Sequence, residues 1–278
     1  MSRIATLTGS LARAGFGDPA AAAAFLQSWE PVLGGDAARV ERLVKAMSGS
    51  ADPDLALAGF DRLASSLPDA FAALADDEAW GVRTARVLGA SAAFGRHLSA
   101  HPGDVEVLRD DVSERDEAAL RAELLDAVGS DPSVVEAVAS GTPDDLRLAY
   151  RRALLRTAAR DLTAPEPADA VESVARELSA LADAVVEAGL ALARAEVPGW
   201  ETVRLAVIAL GKCGARELNY VSDVDVLYIA EPALGVAGEP VVSASEAVAL
   251  ASKIVASLSR TTSAHSAAGT IWPLDAAL

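Results

Sequence analysis

Between Leu205 and Ile229 the chain reads LAVIALGKCGARELNYVSDVDVLYI: two apolar runs of β type, joined across a glycine turn, with Asp223 and Asp225 on the second. Few patterns restrict a fold so tightly. Successive strand side chains point to opposite faces, so the two acids project together while Val224, Val226 and Tyr228 line the other side. Bare carboxylates side by side among valine, leucine and isoleucine repel one another and resist desolvation. A divalent cation relieves both problems, and Mg²⁺ in particular takes one or two carboxylates and completes its shell with water and phosphate oxygens. The other reading of an isolated Asp-x-Asp is a strand end facing solvent.

Gly211 ends the first run and Gly214 follows, so the backbone can turn tightly and approach a ligand closely. Amides at a glycine turn that opens a helix carry partial positive charge and suit phosphate. A third acid, Asp275, lies in Gly269–Leu278, which reads as a neighbouring strand, or else as a polar terminus. Ser222, just before the first acid, is a donor for a phosphate oxygen or a cap for the preceding turn.

The remainder of the chain reads as helix. From residue 20 to about 160 apolar residues recur at three and four, with clear stops: Asp36 caps a helix ended by Gly49, and Pro53 opens another that halts before Pro68. A long helix is predicted over Val171–Ala195, ended by Pro198-Gly199, and another over Ser245–Ser259. Half the residues are hydrophobic (51%) but only 4% are aromatic, a balance that favours packed helices over a β-sandwich. The expected class is therefore α+β: a helical bundle, residues 1–164, followed by a small mixed-sheet core, residues 165–278.

Charge and motifs narrow the function. A net charge of −16 argues against a nucleic-acid partner, whose phosphates need lysine and arginine. No secretion signal opens the chain and no run reaches the ~18 apolar residues that cross a bilayer, so a cytoplasmic protein without membrane contact is expected. The single cysteine, Cys213, excludes an intrachain disulfide and reads as a small filler or a reactive thiol. His97 and His101 lie at helical spacing before Pro102, as a metal pair or a helix-end cap, and His265 reads as a surface loop residue. Arg147, Arg151, Arg152, Arg156 and Arg160 form a helical strip, either for an anionic partner or as a solvated, ion-paired face.

The stretch Gly211-Lys-Cys-Gly-Ala-Arg-Glu-Leu-Asn-Tyr-Val-Ser-Asp-Val-Asp225 closely resembles the signature of the glutamine synthetase adenylyltransferase/adenylyl-removing family, within the nucleotidyltransferase superfamily. Arg216, Glu217, Leu218 and Asn219 match the narrower family version, and Arg151–Leu162 is similar to the link into its catalytic domain. Lys212 stands where many superfamily members have a small residue. The resemblance implies a nucleotidyltransferase core with Asp223, Asp225 and Asp275 as catalytic Mg²⁺ ligands. It also implies that Gly211, Lys212, Gly214 and Ser222 bind the phosphates of ATP or ADP. It further implies action on a tyrosine of glutamine synthetase, with a PII signalling protein as regulator. Family proteins are much longer and hold two catalytic halves. Similarity to the start of the first half predicts a fragment of the adenylyl-removing part, with its core incomplete on the C-terminal side. Two rivals stand beside this: an inert interaction or nucleotide-binding fragment, and a nucleotidyltransferase acting on a small hydroxylated molecule.

Overall fold

The computed structural model of the protein describes residues 3–110 and 112–276; positions 277 and 278 of the expected last strand, and 1 and 2 of the expected signal-free N-terminus, lie outside them. The chain forms two compact units, Met1–Ser113 with Leu155–Ala170, and Glu114–Leu154 with Val171–Leu278. The expected α+β class, helices followed by a small mixed sheet, is what the chain adopts.

The first unit contains α1 (Arg3–Arg13), α2 (Pro19–Ser28), α3 (Glu30–Leu33), α4 (Ala37–Ser48), α5 (Pro53–Ser66), α6 (Pro68–Asp76), α7 (Glu78–Ala90) and α8 (Ala92–Ala100). Aspartates start several of them. The carboxylates of Asp18, Asp36, Asp52 and Asp77 accept N–H groups in the first turns of α2, α4, α5 and α7, each satisfying an amide that has no partner inside its helix. Part of the acidic excess is thus structural. Trp29, Phe60 and Phe71 meet edge to face at centroid distances of 5.0 to 6.5 Å and anchor the core. A Cβ on Gly59 would stand 2.7 Å from Leu88, so glycine permits the close approach of α5 and α7.

The histidine pair does close α8: His101 is its C-cap, donating its N–H to the His97 carbonyl at 2.8 Å, and His97 lies in the last turn. His97 is buried, with Nε2 2.8 Å from Asp104 Oδ2, and His101 lies against it at a ring distance of 5.1 Å. Asp104, three residues beyond the pair, supplies a local hydrogen-bond partner. His265 is exposed in the loop after the last helix, as expected.

The second unit contains α9 (Glu117–Ala127), most of α10 (Pro143–Leu162) and α11 (Pro167–Glu196), then β1 (Val203–Ala209), α12 (Gly211–Gly214), β2 (Val224–Pro232), α13 (Ala244–Ser263) and β3 (Leu274–Ala276). β2 is central. It pairs antiparallel with β1, Val203 opposite Pro232 and Ala209 opposite Val226, and parallel with β3. A parallel partner requires a crossover, and α13 supplies it. One sheet face, with Leu205, Val207, Tyr228 and Ala230, packs on Leu190 and Ala193 of α11 and on Ala251, Ile254 and Leu258 of α13. Gly189 lets α11 and α13 touch, since a Cβ there would stand 2.5 Å from Leu258.

The arginine strip on α10 does not begin as a solvated face. Arg147 is buried, donating to the Thr261 carbonyl at 2.8 Å and pairing with Asp144 at 2.7 Å, and Arg151 donates to the Thr270 carbonyl at 3.0 Å. Both donors hold the C-terminal end of α13 and the chain after it, a use that helical spacing does not reveal.

Candidate metal centre

Strand pairing brings the three acids together. Asp225 sits directly opposite Asp275 in the parallel β2–β3 ladder, and Asp223, two residues earlier, shares their face. The alternate residues Val224 and Val226 point the other way and are buried. One carboxylate oxygen from each acid lies within 4.8 Å of the other two. Asp223 and Asp275 are exposed and Asp225 is half-buried. Like charges directly across a ladder are destabilising. Three carboxylates with no nitrogen or sulfur donor suit a hard divalent cation, and among the described residues this is the cluster of three acidic, histidine or cysteine side chains close enough to share one.

The glycine turn lies against this cluster. Leu210 N–H donates to the Asp225 carbonyl at 2.8 Å, which fixes the start of α12 beside β2. Gly211 has φ +52°, and a Cβ there would meet Asp225 Oδ2 at 2.5 Å. Both the backbone conformation and the carboxylate therefore require glycine. Gly214 is needed for a different reason, because its Cβ would stand 2.5 Å from the Ala209 carbonyl. Lys212 is exposed, with Nζ 3.4 Å from Asn219 Oδ1. Beside Asp223 opens a cleft of about 470 Å³ whose walls include Lys212, Tyr220, Ser222 and Trp272. All seven residues singled out in the sequence thus stand around one place or line the turn behind it.

Cys213 is buried at 3% exposure, and burial pushes its thiol up to about 11, with the negative charge of Asp183 adding to the shift and Arg216 opposing it. That environment makes it a packing residue, not a nucleophile. Residues on α11 were not anticipated. Ser179 accepts the Leu218 N–H at 3.2 Å, and Asp183 pairs with Arg216. Nothing in the sequence of a long amphipathic helix marks either of them.

Comparison with known proteins gives one answer. The family model for glutamate-ammonia ligase adenylyltransferase matches residues 82–278. Relatives described as bifunctional glutamine synthetase adenylyltransferase/adenylyl-removing enzyme include one from Cutibacterium acnes, 45% identical over 285 residues, covering 100% of this chain and 28% of the relative. One from Streptomyces avermitilis is 39% identical over 281 residues, covering 96% and 25%; another from Nocardia farcinica is 42% identical over 246 residues, covering 80% and 23%. The chain spans about a quarter of the length of these relatives. It belongs to the glutamate-ammonia ligase adenylyltransferase family.

Proposed function

We propose that this chain carries a nucleotidyltransferase site that removes AMP from a tyrosine of glutamine synthetase by phosphorolysis. The observation that carries the reading is the meeting of Asp223, Asp225 and Asp275 beside the Gly211 turn. In this reading residues 165–278 hold the catalytic core and residues 1–164 a helical domain. The three acids hold Mg²⁺; when bound, it draws charge from the phosphate oxygens and eases attack at the α-phosphorus. Gly211 and Gly214 present backbone at the turn to the phosphates, and Lys212 and Ser222 contribute a cation and a hydroxyl. The cleft between Tyr220 and Trp272 receives the remainder of the nucleotide.

The bond changes are simple. An oxygen of inorganic phosphate attacks the α-phosphorus, the bond from phosphorus to the tyrosine oxygen breaks, and the products are ADP and free tyrosine. Phosphate brings its own nucleophilic oxygen, so the chain's task is to position and neutralise, not to remove a proton. Adenylylation, in which the tyrosine oxygen attacks the α-phosphorus of ATP and pyrophosphate leaves, uses the same acid pattern; the direction proposed here rests on the resemblance to the first half of the family's proteins. Glutamine synthetase is the protein substrate on this reading, and a PII signalling protein the regulatory partner.

The test is incubation of the chain with adenylylated glutamine synthetase, phosphate and Mg²⁺, following ADP. Asp223→Asn and Asp225→Asn are each expected to lower the rate by about a hundredfold or more. Full retention of rate in either variant would remove these acids from the site. ADP release without glutamine synthetase, from a small adenylylated alcohol, would favour the broader nucleotidyltransferase reading instead, and nucleotide binding without turnover the inert one.

A further inference from the structure

The short helix α12 ends in a conformation that disfavours the residue found there. Arg216 N–H donates to the Cys213 carbonyl at 3.1 Å and Glu217 N–H to the Lys212 carbonyl at 2.8 Å, the paired bonds of a Schellman turn. In that turn the residue at position 216 adopts a left-handed backbone, and Arg216 has φ +63°. Glycine is the usual occupant, because an L side chain there costs about 1–2 kcal/mol. The arginine side chain therefore has a use that offsets the strain. Its guanidinium pairs with Asp183 of α11 through Nη1 and with Glu117 of α9 through Nη2, the latter at 3.1 Å.

A second contact lies one turn away. Ser179 and Asp183 are four apart and share a face of α11. Ser179 is fully buried; its hydroxyl donates to the Ala175 carbonyl at 2.9 Å and accepts the N–H of Leu218, itself 5% exposed. From Leu218 the chain runs without helix or strand to Asp223. Its path is therefore set by the Leu210–Asp225 bond on one side of the turn and by this grip from α11 on the other.

We propose that Arg216, Asp183 and Ser179 are positioning residues: together they fix the glycine turn and the segment entering Asp223 in the arrangement that receives a cation and its phosphate. This rests on the metal reading above and gives it a support outside the motif. None of the three touches the acids. Their effect is on where Gly211 and Asp223 stand.

The test uses the 278-residue chain with Mn²⁺ as a spectroscopically visible probe, reading bound metal by electron paramagnetic resonance, amide exchange across residues 215–222 by mass spectrometry, and the thermal midpoint. Arg216→Gly relieves the left-handed strain while deleting the tether. It is expected to keep or raise the thermal midpoint, yet to speed exchange in that segment and weaken Mn²⁺ about tenfold, as loss of an outer support commonly does. Asp183→Asn and Ser179→Ala should follow it in direction, while Arg216→Lys, which keeps a cation, should stay within about threefold of the unsubstituted chain. Unchanged affinity and exchange in Arg216→Gly, with Asp223→Asn abolishing binding, would overturn the proposal and leave the metal reading intact. An affinity loss that merely tracks a lower midpoint would reduce the three residues to ordinary stabilisers and overturn it too. If the unsubstituted chain binds no Mn²⁺, the metal reading falls and this proposal with it.

Discussion

Gly211 and Cys213 show how differently neighbouring residues serve the same turn. Gly211 is required by space, since any side chain would strike Asp225. Cys213 is required by volume, filling the buried side of α12, and its thiol keeps its proton up to about 11 against an ordinary 9.0. A thiol that ionises at higher pH in the folded than in the unfolded chain contributes stability that is fully present below the unfolded value and lost as pH rises through the folded one. Unfolding free energy measured by urea between pH 8 and 12 should therefore fall more steeply in the unsubstituted chain than in Cys213→Ala, with the extra fall confined to about pH 9–11. An equal slope would show that the thiol is not held neutral by its surroundings. Two residues from Gly211, the cysteine is chemically silent at neutral pH, and the site's chemistry rests on oxygen ligands.

Among the elements, α13 carries a disproportionate duty, because it is the crossover that makes β3 lie parallel to β2. Its N-terminus is built as a capping box: Ser243 Oγ accepts the Glu246 N–H at 3.3 Å while the Glu246 carboxylate accepts the Ser243 N–H at 2.8 Å. The Ser243 hydroxyl, which donates to the Glu246 carboxylate at 2.6 Å, and the Ser243 N–H together hold that carboxyl below its usual range. Ser243→Ala should cost about 1 kcal/mol, read as a shift in the urea midpoint at constant slope; no shift would mean that the cap is satisfied equally well by water. The element boundaries of this region were legible because glycine, proline and serine punctuate two changes of hydrophobic period, as at Gly211 and Pro198. The strand partners were not. Periodicity states that β2 has two faces, but the antiparallel pairing with β1 and the register of Asp225 with Asp275 arise from packing of β2 against α11 and α13, which no local pattern encodes. For the same reason the acids could be named from sequence, whereas Ser179 and Asp183 could not: they are ordinary members of a helix until the fold brings Leu218 and Arg216 to them.

For the molecule as a whole, the three acids place like charge together in a chain whose net charge is already −16. Any ion that binds the folded chain at this cluster and not the unfolded one must raise stability by mass action. With Mn²⁺ or Mg²⁺ at a hundred times its dissociation constant the gain should be about 2.7 kcal/mol, seen as a rise in thermal midpoint that sodium at equal ionic strength does not reproduce and that Asp223→Asn removes. Equal stabilisation by sodium would assign the effect to general screening of the acidic surface. The composition pointed to helices, and the chain is mostly helical; it did not show how the chain divides, because residues 114–154 join the sheet-bearing unit through contacts distant in sequence.

The parallel pairing of β2 with β3 also fixes an order of events during folding. Asp223 and Asp275 are separated in the chain by all of α13, so their lasting juxtaposition requires closing that whole connection. Closing so long a connection is slow compared with forming local turns. A chain emerging from the ribosome therefore completes its glycine turn early, and gains its full set of oxygen donors only with the last strand.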